Sequence, residues 1–425
     1  MSDLILTLTI AVSALCMLGI AIIILCCFIH RKGKRKRISH NVKFIQRPTV
    51  SYISQEDGIN DDDGYDKIEF RPAVPRKIIG RNSLKVNKKE QVNLLPHVSK
   101  REVARTSFIV TGKLGSGNFG QVSLGVLYGL DGPNSETIVA IKSMKGEKES
   151  DFNDFLQEIK VMSFIKPHLN LVSMVASCST YEGQQRELWL ILEYCENGDL
   201  KNFLIRNKKL ILSGEESQSL NDRCLLHWTY DVAKGMEHLF SNNIMHGDLA
   251  ARNILLAEAP LKDGRLIAKV ADFGLSKRFY NKLNYEKQNR MYVPWKWMAL
   301  EFLTHDFLTL TSDVWSFGIV MWEIFSLGRI PYGQVEMNEV IAQLEDGYRL
   351  PCPTDIINST EWSPERLYQN ISKACFTEDP DDRANFSDVI KIIEKELTES
   401  EISKYEVIRK RYQSECGNHY LQLGK

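Results

Sequence analysis

His246-Gly-Asp-Leu-Ala-Ala-Arg-Asn253, HGDLAARN, lies between two apolar runs and sets an aspartate, an arginine and an asparagine within reach of one another. Asp248 follows Asn243-Ile244-Met245-His246 and is well placed to accept the proton of an attacking hydroxyl. Asn253, five residues on, can hold a metal ion. Asn253–Leu256 reads as a strand, and a second short strand between Ala268 and Asp272 ends in Asp272-Phe273-Gly274. A carboxylate at a strand end suits Mg2+, which takes oxygen ligands and shares phosphate oxygens with its protein site.

The upstream texture supplies the rest of such a site. Phe108-Ile109-Val110-Thr111 leads into GKLGSGNFGQVSLGVL, whose core is Gly115-x-Gly117-x-x-Gly120 followed by Val122. Dinucleotide folds carry the same glycine spacing, but there a helix begins at the glycines. Here Gln121–Leu127 is β-rich and reads as the returning strand of a hairpin. A glycine-tipped hairpin can press backbone N–H groups onto phosphates; an ordinary glycine-rich turn is the other reading. Val139-Ala140-Ile141-Lys142 is a short strand ending in a lysine, either a solvated edge residue or a fixed positive charge for nucleotide phosphates. Residues 151–165 place Phe152, Phe155, Ile159 and Met162 at helical spacing, and Glu158 on that helix can orient Lys142 by pairing with it. Leu188–Leu192 reads as a buried strand. Glu193-Tyr194-Cys195 then opens a connector, whose backbone can serve a nucleotide base, before a helix beginning at Asp199. A long helix covers roughly 225–241.

The chain has 425 residues, 43% apolar and 25% charged, which is ordinary globular composition with a substantial core. Lys plus Arg equals Asp plus Glu at 54 each, so the balance itself points to neither nucleic acid nor membrane. Nine scattered cysteines without a CxxC pair indicate neither a zinc site nor a disulfide scaffold.

Charge and hydropathy along the chain are more telling. Leu4–Ile29 is apolar apart from Thr7, Thr9 and Ser13, long enough to span a bilayer as a helix. HRKGKRKR at 30–37 follows at once, which places residues 1–3 outside and everything after residue 30 in the cytoplasm. A cleaved signal peptide would carry a positive n-region and a shorter apolar core; a buried helix is the remaining alternative. So short an outer segment predicts no folded ectodomain. The basic run should attract anionic lipid headgroups, and Cys26 and Cys27 are placed for acylation or for lipid contact. Residues 30–105 read as a juxtamembrane segment, basic then acidic and mostly disordered, with weak periodicity and an acidic cluster at Asp61-Asp62-Asp63. Tyr52 and Tyr65 there are either phosphoacceptors or solvated tyrosines. Residues 399–425 read as a short tail whose Tyr405, Tyr412 and Tyr420 either recruit phosphotyrosine-binding adaptors or lie at the surface.

Taken in order, the glycine loop, Lys142, Glu158, Asp248 with Asn253, Asp272-Phe273-Gly274, Ala299-Leu300-Glu301 and SDVWSFG at 312–318 resemble a eukaryotic protein kinase. Asp248-Leu-Ala-Ala-Arg252-Asn253 and Pro294-Trp-Lys-Trp-Met-Ala299 make the resemblance one to tyrosine kinases, and the membrane span makes it receptor-like. The resemblance implies an α+β bilobal kinase fold over 106–398, with a β-rich N-lobe and a mostly helical C-lobe, behind a transmembrane helix at 4–29. It implies ATP and Mg2+ as cofactors and tyrosine-bearing proteins as substrates, with a co-receptor or homodimer as a further partner and no nucleic acid. A catalytically weak scaffold is the alternative, which loss of Lys142, Asp248 or Asp272 would have favoured.

By the same resemblance, Asp248 is the base, Arg252 positions the substrate, and Lys142, paired with Glu158, contacts the α- and β-phosphates. Asn253 and Asp272 hold Mg2+. Gly115, Gly117 and Gly120 cover the phosphates, beside Val122 and Ala140. Leu192 guards the back of the adenine pocket, with Glu193–Cys195 as the hinge, and Glu301 pairs with Arg383. Tyr280, Tyr285 and Tyr292 become phosphorylation candidates, Tyr285 foremost. Three positions depart from the family: Gly247 where it usually has arginine, Leu300 where it has proline, and Trp295 where valine is common.

Overall fold

A computed structural model describes residues 66–68, 101–117, 120–130, 132, 134–144, 149–182, 185–213, 220–261, 263–273, 291–305, 307–353 and 362–422. The span expected at 4–29 and the basic run after it lie outside these residues. Among the described residues no helix is long and apolar enough to cross a membrane.

The N-terminal half of the catalytic region is a five-stranded antiparallel sheet. After a three-residue strand β1 (Asp66–Ile68) come β2 (Phe108–Gly117), β3 (Gly120–Tyr128) and β4 (Glu136–Ser143), helix α1 (Glu149–Phe164), then β5 (Met174–Glu182) and β6 (Gln185–Glu193). The sheet order is β2-β3-β4-β6-β5. Alternation puts one side chain set inward: Phe108, Leu127, Val139, Ile141, Ala176, Cys178 and Ile191 form one buried cluster. The register sets Val122 opposite Lys142 and Ala140 opposite Leu192, so the glycine hairpin, the lysine strand and the hinge strand lie side by side. Helix α1 packs on β5 and β6 through Phe152, Phe155, Ile159 and Met162, all buried as their spacing requires.

The C-terminal half is mostly helical. It contains α2 (Leu200–Ser213), α3 (Asp222–Ser241), a hairpin of β7 (Ile254–Glu258) with β8 (Leu266–Val270), β9 (Met291–Val293), α4 (Leu300–His305), α5 (Ser312–Phe325), α6 (Met337–Glu345), α7 (Pro364–Cys375), α8 (Phe386–Glu394) and α9 (Glu399–Gln422). Helix α5 is apolar nearly all round and is buried at every position except Trp322, which makes it the centre of this half. Local signals start the helices. Asp199 accepts the N–H of Asn202 (2.9 Å), Ser363 precedes Pro364 and accepts the N–H of Arg366, and Asn385 accepts the N–H of Asp388.

Two described parts of the flanking segments differ from expectation. The tail is not a surface strand of chain: it is the helix α9, started by a capping box. Thr398 Oγ1 accepts the Glu401 N–H at 3.2 Å, while Thr398 N–H donates to Glu401 at 2.8 Å. Glu401 also takes Arg223 (2.6 and 2.8 Å) and His227 (2.8 Å) of α3. Tyr405, Ile408 and Tyr412, three and four apart, then share one buried face. Tyr405 donates to Asn170 at 2.7 Å and packs edge-on against Tyr230, and the Tyr412 hydroxyl meets Ser173 Oγ at 2.9 Å. Neither is the surface tyrosine that polar surroundings suggested; Tyr420 lies outside the residues whose side chains are described. In the segment expected to lack a fold, β1 pairs antiparallel with β9, and Val103 N–H donates to Ser177 O along the edge strand β5.

Candidate active site

Lys142 is the penultimate residue of β4, and its side chain is buried. Its Nζ lies 2.7 Å from Glu158 of α1 and 3.0 Å from Asp272. Burial alone would lower its pKa, but the carboxylates of Asp272 and Glu158 outweigh that and hold it above the ordinary lysine value. Lys142 is therefore a fixed cation, not the solvated edge residue. Asp272 stands two residues past β8 with φ 59, a left-handed conformation that aspartate tolerates better than most. It is held there by Lys142 and by Phe273, which is buried against the His246 ring.

The loop 246–253 is fixed mainly through its backbone. His246 Nε2 meets Ala271 O at 2.9 Å, and Ala271 N–H donates to Asn253 O at 2.8 Å, so the loop before β7 and the residues after β8 are stitched together. Arg252 donates to Asp248 Oδ1 at 2.7 Å, and Asn253 Nδ2 donates to the Asp248 carbonyl at 2.7 Å. The Arg252 guanidinium lies 4.3 Å from the ring centre of Trp297. Asp248, Arg252 and Asn253 are thus brought together, with Asp272 adjoining through Ala271.

Two carboxylates that the motif reading left without a role carry this loop. Asp313 of α5 accepts the N–H groups of His246 (2.7 Å) and Gly247 (2.9 Å). Glu323, nearly three turns further along the same helix, accepts Ala251 N–H (2.9 Å) and Trp297 Nε1–H (2.8 Å). The first belonged to SDVWSFG, a quoted motif; for the second, a lone glutamate in an otherwise apolar helix was the available signal. Burial pushes the Glu323 carboxyl up to about 7, against the opposing pull of Trp297, Ala251 and Arg252. The folded state therefore binds a proton that the unfolded chain releases, so this group's contribution to stability is largest below pH 4.5 and falls as pH rises through 7. Glu323→Gln, which keeps an acceptor oxygen, should reduce the loss of stability between pH 4.5 and 7.5. The check is the difference in denaturant midpoint between variant and parent as a function of pH.

Gly247 has φ 79, a region that glycine enters without strain. Its N–H is committed to Asp313, and it has no side chain with which to reach a phosphorylated segment. Tyr280 and Tyr285 lie outside the described residues; Tyr292 lies in β9, where only the backbone is described. We expect Tyr285→Phe to lower activity by less than about 100-fold, since glycine supplies no charge-assisted contact to a phosphate there. Initial rates of the purified variant and parent on a tyrosine peptide check this.

The glycine hairpin closes with Gly117 opposite Gly120. A Cβ at Gly120 would stand 2.6 Å from Ser143 O, so packing demands glycine there. A Cβ at Gly115 would meet no described atom within 4 Å, so the space beside that backbone is open to a ligand. Glu193 turns its carboxylate away to Ser173 N–H (2.7 Å) and Lys269 (3.0 Å), and the Cys195 thiol is buried. The hinge accordingly offers backbone groups to a base. Asp272 is one-third exposed, which leaves room for further oxygen ligands, and Asn253 is held by its Nδ2, which directs its donor atom and not its amide oxygen to the protein. That oxygen pair fits Mg2+, which fills most of its positions with water and phosphate oxygens.

The model of the protein tyrosine and serine/threonine kinase family matches residues 108–393. The chain belongs to that family. The kinase is 35% identical over 320 residues to fibroblast growth factor receptor 1 of Xenopus laevis, covering 73% of this chain and 37% of that protein. It is 36% identical over 288 residues to the tyrosine kinase receptor Cad96Ca of Drosophila melanogaster (67% and 35%), and 30% identical over 408 residues to platelet-derived growth factor receptor beta of Takifugu rubripes (75% and 37%). The kinase thus spans little more than a third of the length of these curated relatives. The β-sheet and helical lobes are those expected of the family.

Proposed function

We propose that this chain transfers the γ-phosphoryl group of ATP to tyrosine hydroxyls of proteins. The observation that carries this is the buried cation Lys142, bridging Glu158 and Asp272, on a frame that also holds Asp248 against Arg252. Phosphoryl transfer asks the protein chiefly to hold two reactants in line and to offset charge. Lys142 meets the α- and β-phosphates, and the backbone of 115–120 covers them beside Val122 and Ala140. Leu192 bounds the adenine site, and Glu193–Cys195 pair with the base through backbone. Asp272 and Asn253 would hold Mg2+, which when bound would offset the negative charge on the phosphate oxygens. Asp248 orients the tyrosine hydroxyl and takes its proton as the oxygen attacks phosphorus. Arg252 keeps that carboxylate in place and flanks the substrate.

The finer reading is of a single-pass membrane kinase with residues 1–3 outside, a span at 4–29 and the catalytic region in the cytoplasm. The basic run would lie on anionic lipid, and a co-receptor or a second copy would bring the chain under control. Phosphotyrosine-binding adaptors are further partners. The test is incubation of the purified chain with ATP, Mg2+ and peptides bearing tyrosine, serine or threonine. Phosphate on tyrosine alone is the expected result; incorporation on none of them would overturn the reading.

A further inference from the structure

The outward face of α2 takes no part in the phosphotransfer geometry. The helix reads LKNFLIRNKKLILS, with four cations and no carboxylate. Its inner side, Leu200, Phe203, Leu204 and Ile211, is buried, and the helix packs on the turn Ala251–Asn253 of the catalytic loop, on β7 and on α5. Lys201, Ile205, Lys208 and Leu212 follow one another at intervals of four, three and four, so they line the outward side as one stripe, which Lys209 borders. Ile205 and Leu212 are 50% and 46% exposed, although both are large aliphatics. Ile205 is seated at its root, since a Cβ on Gly328 would come within 2.8 Å of its Cγ1. Lys208 and Lys209 make no ion pair among the described residues. Arg206, on the flank, donates to the carbonyls of Asn202 (3.3 Å) and Asn197 (3.5 Å). Asp199, the acid just before the helix, is taken up by the N–H and Nδ2 of Asn202, both at 2.9 Å. The charge of Lys208 and Lys209 is therefore left for an outside anion.

Lysines interleaved with exposed aliphatics suit one kind of partner. Protein interfaces are depleted in lysine and anchored by aromatics, and this stripe has three lysines and no aromatic. At a bilayer the same residues are complementary. The aliphatics enter the boundary between headgroups and acyl chains, the lysine stems lie along them, and the ammonium groups stay among anionic headgroups. We propose that the outward face of α2 docks on anionic lipid bilayers, with Ile205 and Leu212 inserted and Lys201, Lys208 and Lys209 among the headgroups. This surface belongs to the catalytic region and is separate in sequence from the basic run at 30–37. The inference rests on the reading of the chain as a membrane protein, not on its catalytic part. Because the inner side of α2 packs on 251–253, docking holds the catalytic loop one helix diameter, about 10–12 Å, from the lipid. Tyrosines held close to the membrane are then the ones within reach.

The test places the full-length chain in lipid nanodiscs, one set of phosphatidylcholine alone and one with about a third phosphatidylserine. An amine-reactive reagent labels the lysines, and mass spectrometry reads the labelling rate residue by residue. Lys391, exposed on α8, is the internal reference. Relative to it, Lys201, Lys208 and Lys209 should label about 5-fold or more slowly in the anionic discs than in the neutral ones, and the difference should shrink at high salt. In Lys208→Glu with Lys209→Glu the slowing of Lys201 should be lost, while phosphorylation of a soluble tyrosine peptide is kept. Equal labelling in both sets, with the chain incorporated in each, would overturn this inference and leave the membrane reading standing. A chain that enters neither set, with α2 labelled as in detergent, would overturn both. Slowing of Lys201 that survives in the double variant would also overturn it, since the basic run at 30–37 would then account for the approach. Protection that grows with chain concentration and ignores the lipid would assign the face to a second copy and would sink the proposal equally.

Discussion

Asp248→Asn should lower kcat for tyrosine phosphorylation by about 100- to 10,000-fold, the range a positioned general base supplies. The replacement is nearly isosteric. An amide oxygen can still accept from Arg252, and Asn253 binds the Asp248 carbonyl, which the change does not touch. The loop is also held from outside by Asp313 and Glu323. The fold and the nucleotide site should therefore persist, with KM for ATP changed only a few-fold, because Lys142 and Asp272 remain. Steady-state kinetics on a tyrosine peptide separate the two parameters. Equal kcat for variant and parent would remove Asp248 from the chemistry.

The second large effect concerns stability. Arg383, whose side chain is fully buried, donates from both terminal nitrogens to Glu301 at 2.8 Å, and further to the carbonyls of Thr311 and Thr377 at 3.0 Å. Ser312 adds a hydroxyl to the same carboxylate at 2.8 Å. Arg383→Met leaves Glu301 as a buried carboxylate without its cation, which costs about 3–5 kcal/mol. Over a domain of this size that is a Tm drop of roughly 10 °C. Removing both partners, with Glu301→Leu added, should recover part of the loss, because the penalty lies mainly in the orphaned charge. Thermal denaturation of the two single variants and the pair checks this. A double variant as unstable as the sum of the singles would contradict it.

Most of the catalytic frame was legible because short stretches carry both chemistry and punctuation. The β-rich run after Gly120 distinguished a hairpin from a helix start, and the strand does run from Gly120 to Tyr128. Helical spacing at Phe152, Phe155, Ile159 and Met162 placed Glu158 on α1, where it meets Lys142. What escaped was of two kinds. Asp313 and Glu323 act through space on backbone N–H groups of a loop some 70 residues earlier, and no local pattern records such a partner. The tail was legible in principle. Thr398-x-x-Glu401 followed by Tyr405, Ile408 and Tyr412 at helical spacing is a start signal and an apolar face, but tyrosines among charged residues read as surface groups. The pairing of β1 with β9 depends on a backbone edge, which has no signature in side chains at all.

The helix α9 changes where this enzyme should be considered to end. The family match stops at residue 393, and a recombinant chain trimmed near there would look complete by homology. It would, however, strip the Tyr405 hydroxyl from Asn170, Tyr412 from Ser173 and from the Lys269 ammonium 4.2 Å above its ring, and Glu401 from Arg223 and His227. Those groups sit behind the hinge strand, where Lys269 and Ser173 both bond Glu193, and along α3, so the cut would remove contacts of the catalytic region itself and not an appendage. A laboratory comparing trimmed and untrimmed proteins would be comparing two differently sprung enzymes, and an adaptor seeking Tyr405 or Tyr412 would first have to peel the last helix away.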